Sequence, residues 1–162
     1  MLAVVVVLLA LALAGCGGGG SGEPASGGGG ESVSVETVDG VGDVLVDARG
    51  HALYSPDQET GGKVLCTDAC ASIWIPVTLP AGRQPTGSSD VSSQLGLVRR
   101  PDGAEQVTFD GKPLYTFAED RAAGEVTGNG FADTFGGTSF TWHVAALGPV
   151  SGGSTARGGY GY

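Results

Sequence analysis

Residues 2–13 form an unbroken apolar run without a charge, and Ala14 and Gly15 lead from it into Cys16. The run is too short to cross a bilayer as a helix, which takes about 20 apolar residues. Its length and small-residue exit fit a signal segment, although no Lys or Arg precedes it and the first positive side chain is Arg49. Residues 17–30 are almost entirely Gly, Ser, Pro and Ala, which predicts a flexible coil. From Ser32 the period changes to two. Val33, Val35 and Thr37 alternate with Ser32, Ser34 and Glu36, the pattern of a half-buried strand. Asp39-Gly40 marks a turn. Residues 43–47 read as a second strand with Val44 and Val46 on one face, and Ala52-Leu53-Tyr54 begins a third.

The same order recurs downstream. Residues 96–99 and 105–109 read as strands, with a turn at Pro101-Asp102-Gly103 and a tight hairpin at Asp110-Gly111. Residues 112–117 follow as a strand that begins at a sheet edge, because Pro113 cannot donate to a ladder. Gly50-His51-Ala52-Leu53-Tyr54 and Gly111-Lys112-Pro113-Leu114-Tyr115 share Gly-x-x-Leu-Tyr, and each half then reaches a tryptophan, Trp74 or Trp142. These echoes predict two diverged repeats, residues 32–79 and 95–148, joined by a polar connector over 80–94. Neither is large enough to hold a core alone, so one shared core is expected. Residues 67–74 predict a short helix capped by Thr67. Phe140, Trp142 and Val144 alternate with Thr141, His143 and Ala145 as a last strand, and residues 149–162 return to Gly and Ser as a disordered tail.

Composition agrees with short strands: 31 glycines stand among few helix formers. The fold class expected is all-β, two related β-meander repeats packed as one small domain with a short helical turn near Cys66 and Cys70. A net charge of −9 without a basic stripe argues against nucleic acid and against electrostatic docking to anionic lipid.

Leu13-Ala14-Gly15-Cys16 resembles a bacterial lipobox, in which a peptidase cuts before the cysteine and the thiol carries a diacylglycerol. That assigns residues 1–15 to a signal peptide and residues 16–31 to a lipidated cysteine and linker. The cysteine count supports it. Three is an odd number for an exported protein, but lipidation of Cys16 leaves Cys66 and Cys70 as a pair in an oxidising compartment.

Tyr115-Thr116-Phe117-Ala118-Glu119-Asp120 fits a Tyr-x-aromatic-x-x-Asp motif, and Tyr54 together with Cys66-x-x-x-Cys70-Ala71-x-x-Trp74 adds to it in the first repeat. In this order the residues resemble a group of bacterial predicted lipoproteins, the secreted repeat of unknown function. The resemblance implies an envelope location and a repeat architecture, and no mechanism. The first repeat departs from it: Tyr54-Ser55-Pro56-Asp57 lacks the aromatic and the spaced aspartate, and Ile75-Pro76 replaces an expected pair of prolines.

The candidate chemistry is sparse. Cys66 and Cys70 read either as a local disulfide clamp or as a reversible thiol pair, the latter with one residue more between them than thioredoxin-type spacing. Tyr115, Phe117 and Asp120 read either as a packed strand closed by a turn carboxylate or as a binding face. His51 and His143 have no spacing that joins them to the cysteines, so no metal site is expected. Asp57, Glu59, Glu119 and Asp120 read as solvated acids. No serine has a nucleophile-elbow context and no phosphate loop is present.

The function expected is a non-enzymatic binding or structural module of the cell envelope, anchored to the membrane through the lipid on Cys16. It uses no cofactor and no nucleic acid, and its partner would be an envelope protein or a small ligand. The alternative is an envelope redox protein using Cys66 and Cys70. A hydrolase using the scattered carboxylates ranks lowest.

Overall fold

The computed structural model describes residues 31–151. Residues 1–30, on which the expected signal peptide, lipidated Cys16 and linker fall, and residues 152–162, on which the expected tail falls, lie outside the described residues.

The described residues are built from short antiparallel strands. In order they are β1 (Ser34–Val38), β2 (Gly42–Val46), β3 (Leu53–Pro56), helix α1 (Ala69–Ile73), β4 (Trp74–Pro76), β5 (Thr78–Leu79), β6 (Leu95–Arg99), β7 (Glu105–Phe109), β8 (Lys112–Pro113), β9 (Tyr115–Phe117), β10 (Phe131–Phe135) and β11 (Thr138–Val144). β1 and β2 form a hairpin. A five-stranded sheet has the order β10-β11-β3-β9-β4. A third sheet has the order β5-β7-β6, with β8 added to β7.

The predicted strand over 112–117 divides at Leu114. Lys112–Pro113 completes the Asp110-Gly111 hairpin with β7, and Tyr115–Phe117 sits inside the five-stranded sheet between β3 and β4. Both central hairpin residues have positive φ, 48° at Asp110 and 74° at Gly111, as a two-residue turn of this kind requires. The helix also starts later than expected. Asp68, with φ 52° and ψ −121°, occupies the cap position without a side-chain cap bond, and the Thr67 hydroxyl donates to the Asp68 carboxylate instead.

The five-stranded sheet is symmetric about one residue pair. β3 and β9 run antiparallel with Tyr54 opposite Tyr115. Outside β9, β4 sets Trp74 opposite Phe117, Ile75 opposite Thr116 and Pro76 opposite Tyr115. Outside β3, β11 sets Trp142 opposite Pro56, His143 opposite Ser55 and Val144 opposite Tyr54. A half-turn about the Tyr54–Tyr115 pair thus exchanges Trp74 with Trp142 and Phe117 with Pro56. The halves differ between the tyrosine strand and the tryptophan strand: the first holds α1, the second β10.

Strand alternation sends neighbours to opposite faces. Tyr54, Tyr115, Trp74, Trp142, Phe117 and Phe140 join one buried apolar cluster. Leu53 and Leu114 join another, with Val33, Leu45, Val107 and Phe109. Among the described residues there are two such clusters instead of one, and each draws residues from both halves, so the halves are buried against each other.

Candidate functional site

The motif residues converge in the core. Tyr54, Tyr115 and Trp74 have no exposed surface, and Phe117 and Asp120 are also buried. Tyr115 and Phe117 point the same way, as two positions on one strand face must. A face made of these side chains is closed to solvent.

A buried hydroxyl needs a partner, and each tyrosine finds one in the other half. Tyr54 donates to Asp120 at 2.5 Å, and the Gly128 amide donates back to the Tyr54 oxygen at 3.3 Å. Asp120 also accepts from the Thr127 amide at 3.0 Å. Tyr115 donates to Glu59 at 2.7 Å, while the Leu65 and Cys66 amides donate to the other Glu59 oxygen at 2.5 and 2.6 Å. Glu59 follows Tyr54 by the same interval at which Asp120 follows Tyr115.

Two expectations are corrected here. Glu59 and Asp120 are not solvated acids: Glu59 is fully buried, Asp120 nearly so, and both accept bonds from amides and phenols. The spaced carboxylate of the first half is not missing either, because glutamate replaces aspartate there and performs the same task. An ungapped overlay of Tyr54 on Tyr115 would have found it. Asp57 and Glu119 do stay exposed.

Burial raises both phenol pKa values well above the ordinary tyrosine range. At Tyr54 the bond to Asp120 and its charge add to the effect, and at Tyr115 the charge of Glu59 and its bond do so.

A third carboxylate joins the tryptophans. Trp74 and Trp142 stack with centroids 3.9 Å apart, and their indole N–H groups donate to the two oxygens of Asp133 on β10, at 2.7 and 3.0 Å. Burial raises the Asp133 carboxyl above its usual range, against the lowering effect of both indoles. Sequence reading missed Asp133 and β10. The alternation of Phe131, Asp133 and Phe135 was the available signal, disguised by an acid in an inward position.

Cys66 and Cys70 are joined as a disulfide with Cα atoms 5.2 Å apart, and both are buried. The Cys66 carbonyl accepts from buried Arg100 at 2.9 Å, and Arg100 also donates to Gln106 at 2.6 Å, tying the cysteine loop to β7. Among the described residues no group of three His, Cys, Asp or Glu side chains is placed to hold a metal ion.

Two surface clefts flank the buried network. A cleft of about 340 Å³ is lined by Ser55, Asp57, Lys112, His143 and Ala145, and another of about 460 Å³ by Thr116, Ala118, His51, Ile75 and Val77. The half-turn about Tyr54–Tyr115 superposes these residues in the order given, so the clefts are counterparts. Each holds one histidine beside an aspartate: His143 Nε2 lies 3.2 Å from Asp57, and His51 Nδ1 lies 3.5 Å from Asp47. The second cleft also touches Phe117 and Asp120, and so reaches the buried network.

No curated protein and no solved structure matches the chain. Residues 96–146, which run from β6 past the end of β11 and contain Tyr115, Phe117 and Asp120, match a family described as a secreted repeat of unknown function.

Proposed function

We propose that this chain is a lipid-anchored protein of the extracytoplasmic face of a bacterial membrane, held by a diacylglycerol on Cys16, and that its β domain binds a partner without catalysing a reaction. The observation that carries the binding reading is the pair of equivalent surface clefts, each holding a histidine beside an aspartate. The motif itself is not the binding face, because Tyr54 is bonded to Asp120 and Tyr115 to Glu59 inside the core. The surface open to a partner then includes the paired clefts around His51 and His143. The secreted-repeat match over 96–146 supports the location, and the apolar run ending in Leu13-Ala14-Gly15-Cys16 supports the anchor.

Cells fed a labelled fatty acid test the anchor. The wild-type chain should carry the label and sediment with membranes, and Cys16→Ala should be unlabelled and soluble. Equal membrane retention of the variant would overturn the anchor. Binding is tested by placing a photoreactive residue at Lys112, in one cleft, or at Glu119, outside both. A discrete adduct in intact cells from position 112 alone is expected, and identical adducts from both positions would overturn the cleft as the binding surface.

A further inference from the structure

The buried polar groups are arranged around an unbroken line of aromatic rings. Tyr54 meets Trp74 edge-on at 5.5 Å, Trp74 stacks on Trp142 at 3.9 Å, and Trp142 meets Tyr115 edge-on at 5.2 Å. Every ring in the line carries an acidic hydrogen, and every such hydrogen points at a carboxylate: Asp120, Glu59, or Asp133 twice. Packing alone does not ask for this. Phenylalanine would fill the space of either tyrosine, and replacing both partners of a buried polar pair by apolar groups of similar shape is often neutral or stabilising. Three buried carboxylates and four polar aromatics are therefore a costly way to build a core, and each phenol–carboxylate pair is equipped to move an electron together with a proton.

We propose that the line Tyr54–Trp74–Trp142–Tyr115 takes up one-electron oxidising equivalents and holds them as a neutral tyrosyl radical. An outer-sphere one-electron oxidant, a high-potential transition-metal complex, removes one electron from the line and is itself reduced by one unit. The phenol O–H bond of Tyr54 or Tyr115 breaks, its proton moves along the existing hydrogen bond to Asp120 or Glu59, and a neutral phenoxyl faces a carboxylic acid. A thiolate returns the electron and becomes a thiyl radical, and the proton moves back from the carboxylic acid to re-form the phenol. The stacked indoles pass the vacancy between the two ends. The cleft lined by Phe117 and Asp120 brings a surface-bound oxidant to the Tyr54 end. The disulfide takes no part.

The test uses the full chain with Tyr160→Phe and Tyr162→Phe. The chain has four tyrosines, so this leaves Tyr54 and Tyr115 as the remaining two. Flash-photolysis oxidation by a photogenerated ruthenium(III) complex, followed by electron paramagnetic resonance, should show a neutral tyrosyl radical that forms more slowly in D2O. Adding Tyr54→Phe should shift the spectrum to Tyr115 alone, and adding Tyr115→Phe should shift it to Tyr54 alone. A radical that stays on tryptophan, a tyrosyl radical formed at the same rate in H2O and D2O, or no protein radical would each overturn the proposal.

Discussion

Tyr54 donates its hydroxyl hydrogen at 2.5 Å to Asp120, a residue 66 positions further along the chain. The reverse contact exists as well, from Tyr115 back to Glu59 at 2.7 Å. Each half of the molecule therefore supplies the acceptor that the other half's phenol requires, and the two crossed bonds hold the centre of the five-stranded sheet.

The Glu59 end should be the more sensitive to truncation. Its carboxylate satisfies three donors, the Leu65 and Cys66 amides and the Tyr115 hydroxyl. Glu59→Ala strands all three and is expected to cost about 4 kcal/mol. Tyr115→Phe removes one donor, leaves the two amides in place and should cost about 2 kcal/mol. Urea unfolding followed by tryptophan fluorescence checks both values, and equal costs would show that the amides find other acceptors.

Alkali should unfold the protein through its tyrosines. Both phenol pKa values are raised in the folded state. The folded chain therefore keeps two protons that the unfolded chain loses above pH of about 10. Stability from this source is complete below that pH and falls above it, by about 1.4 kcal/mol per pH unit for each tyrosine. Tyr115→Phe should halve that slope. Phenolate absorbance from Tyr54 and Tyr115 should appear only with loss of near-ultraviolet circular dichroism.

The disulfide should behave as a buried clamp. Both cysteines are shielded from solvent, and the loop they close is short. A double Cys66→Ala, Cys70→Ala variant should lose about 2 kcal/mol by loop-closure entropy. The measured reduction potential should lie below about −300 mV, the range of structural disulfides. A clearly higher potential would bring a reversible thiol role forward.

Asp68 holds a left-handed backbone at φ 52°, where a side chain is strained. The Cys70 amide closes a turn onto the Thr67 carbonyl at 3.0 Å, which fixes Asp68 there. Asp68→Gly should remove the strain and stabilise the fold by about 1 kcal/mol after the added flexibility of the unfolded chain is counted. A rise in Tm of a few degrees would check this, and an unchanged or lower Tm would contradict it.

Much of this fold was legible because strands leave a period of two. Val44 and Val46, the Asp110-Gly111 turn, the repeated Gly-x-x-Leu-Tyr and the alternation of Phe140, Trp142 and Val144 all lie where the pattern puts them. What escaped reading depends on partners far away in the chain. Glu59 looks like any surface acid until Tyr115 is folded over it. Asp133 breaks the alternation of β10 because two indoles require an acceptor at that depth. Lys112 and His143 share a cleft only because β8 and β11 approach each other in three dimensions. Register, not composition, brings these residues together.

The half-turn about Tyr54 and Tyr115 has the form of an isologous subunit contact contained within a single polypeptide. A lone copy of either half would present a phenol and a carboxylate to a second copy of itself. Tethering replaces that meeting of two molecules by an intramolecular one at high effective concentration. It also releases the halves from identity, since a disulfide-bound helical turn can occupy the position in one half that β10 occupies in the other. Asp133 records the result. A homodimer of the second half would bring two such carboxylates to its stacked pair of indoles, with two like charges in one buried space. The fused chain brings one, whose two oxygens serve both rings.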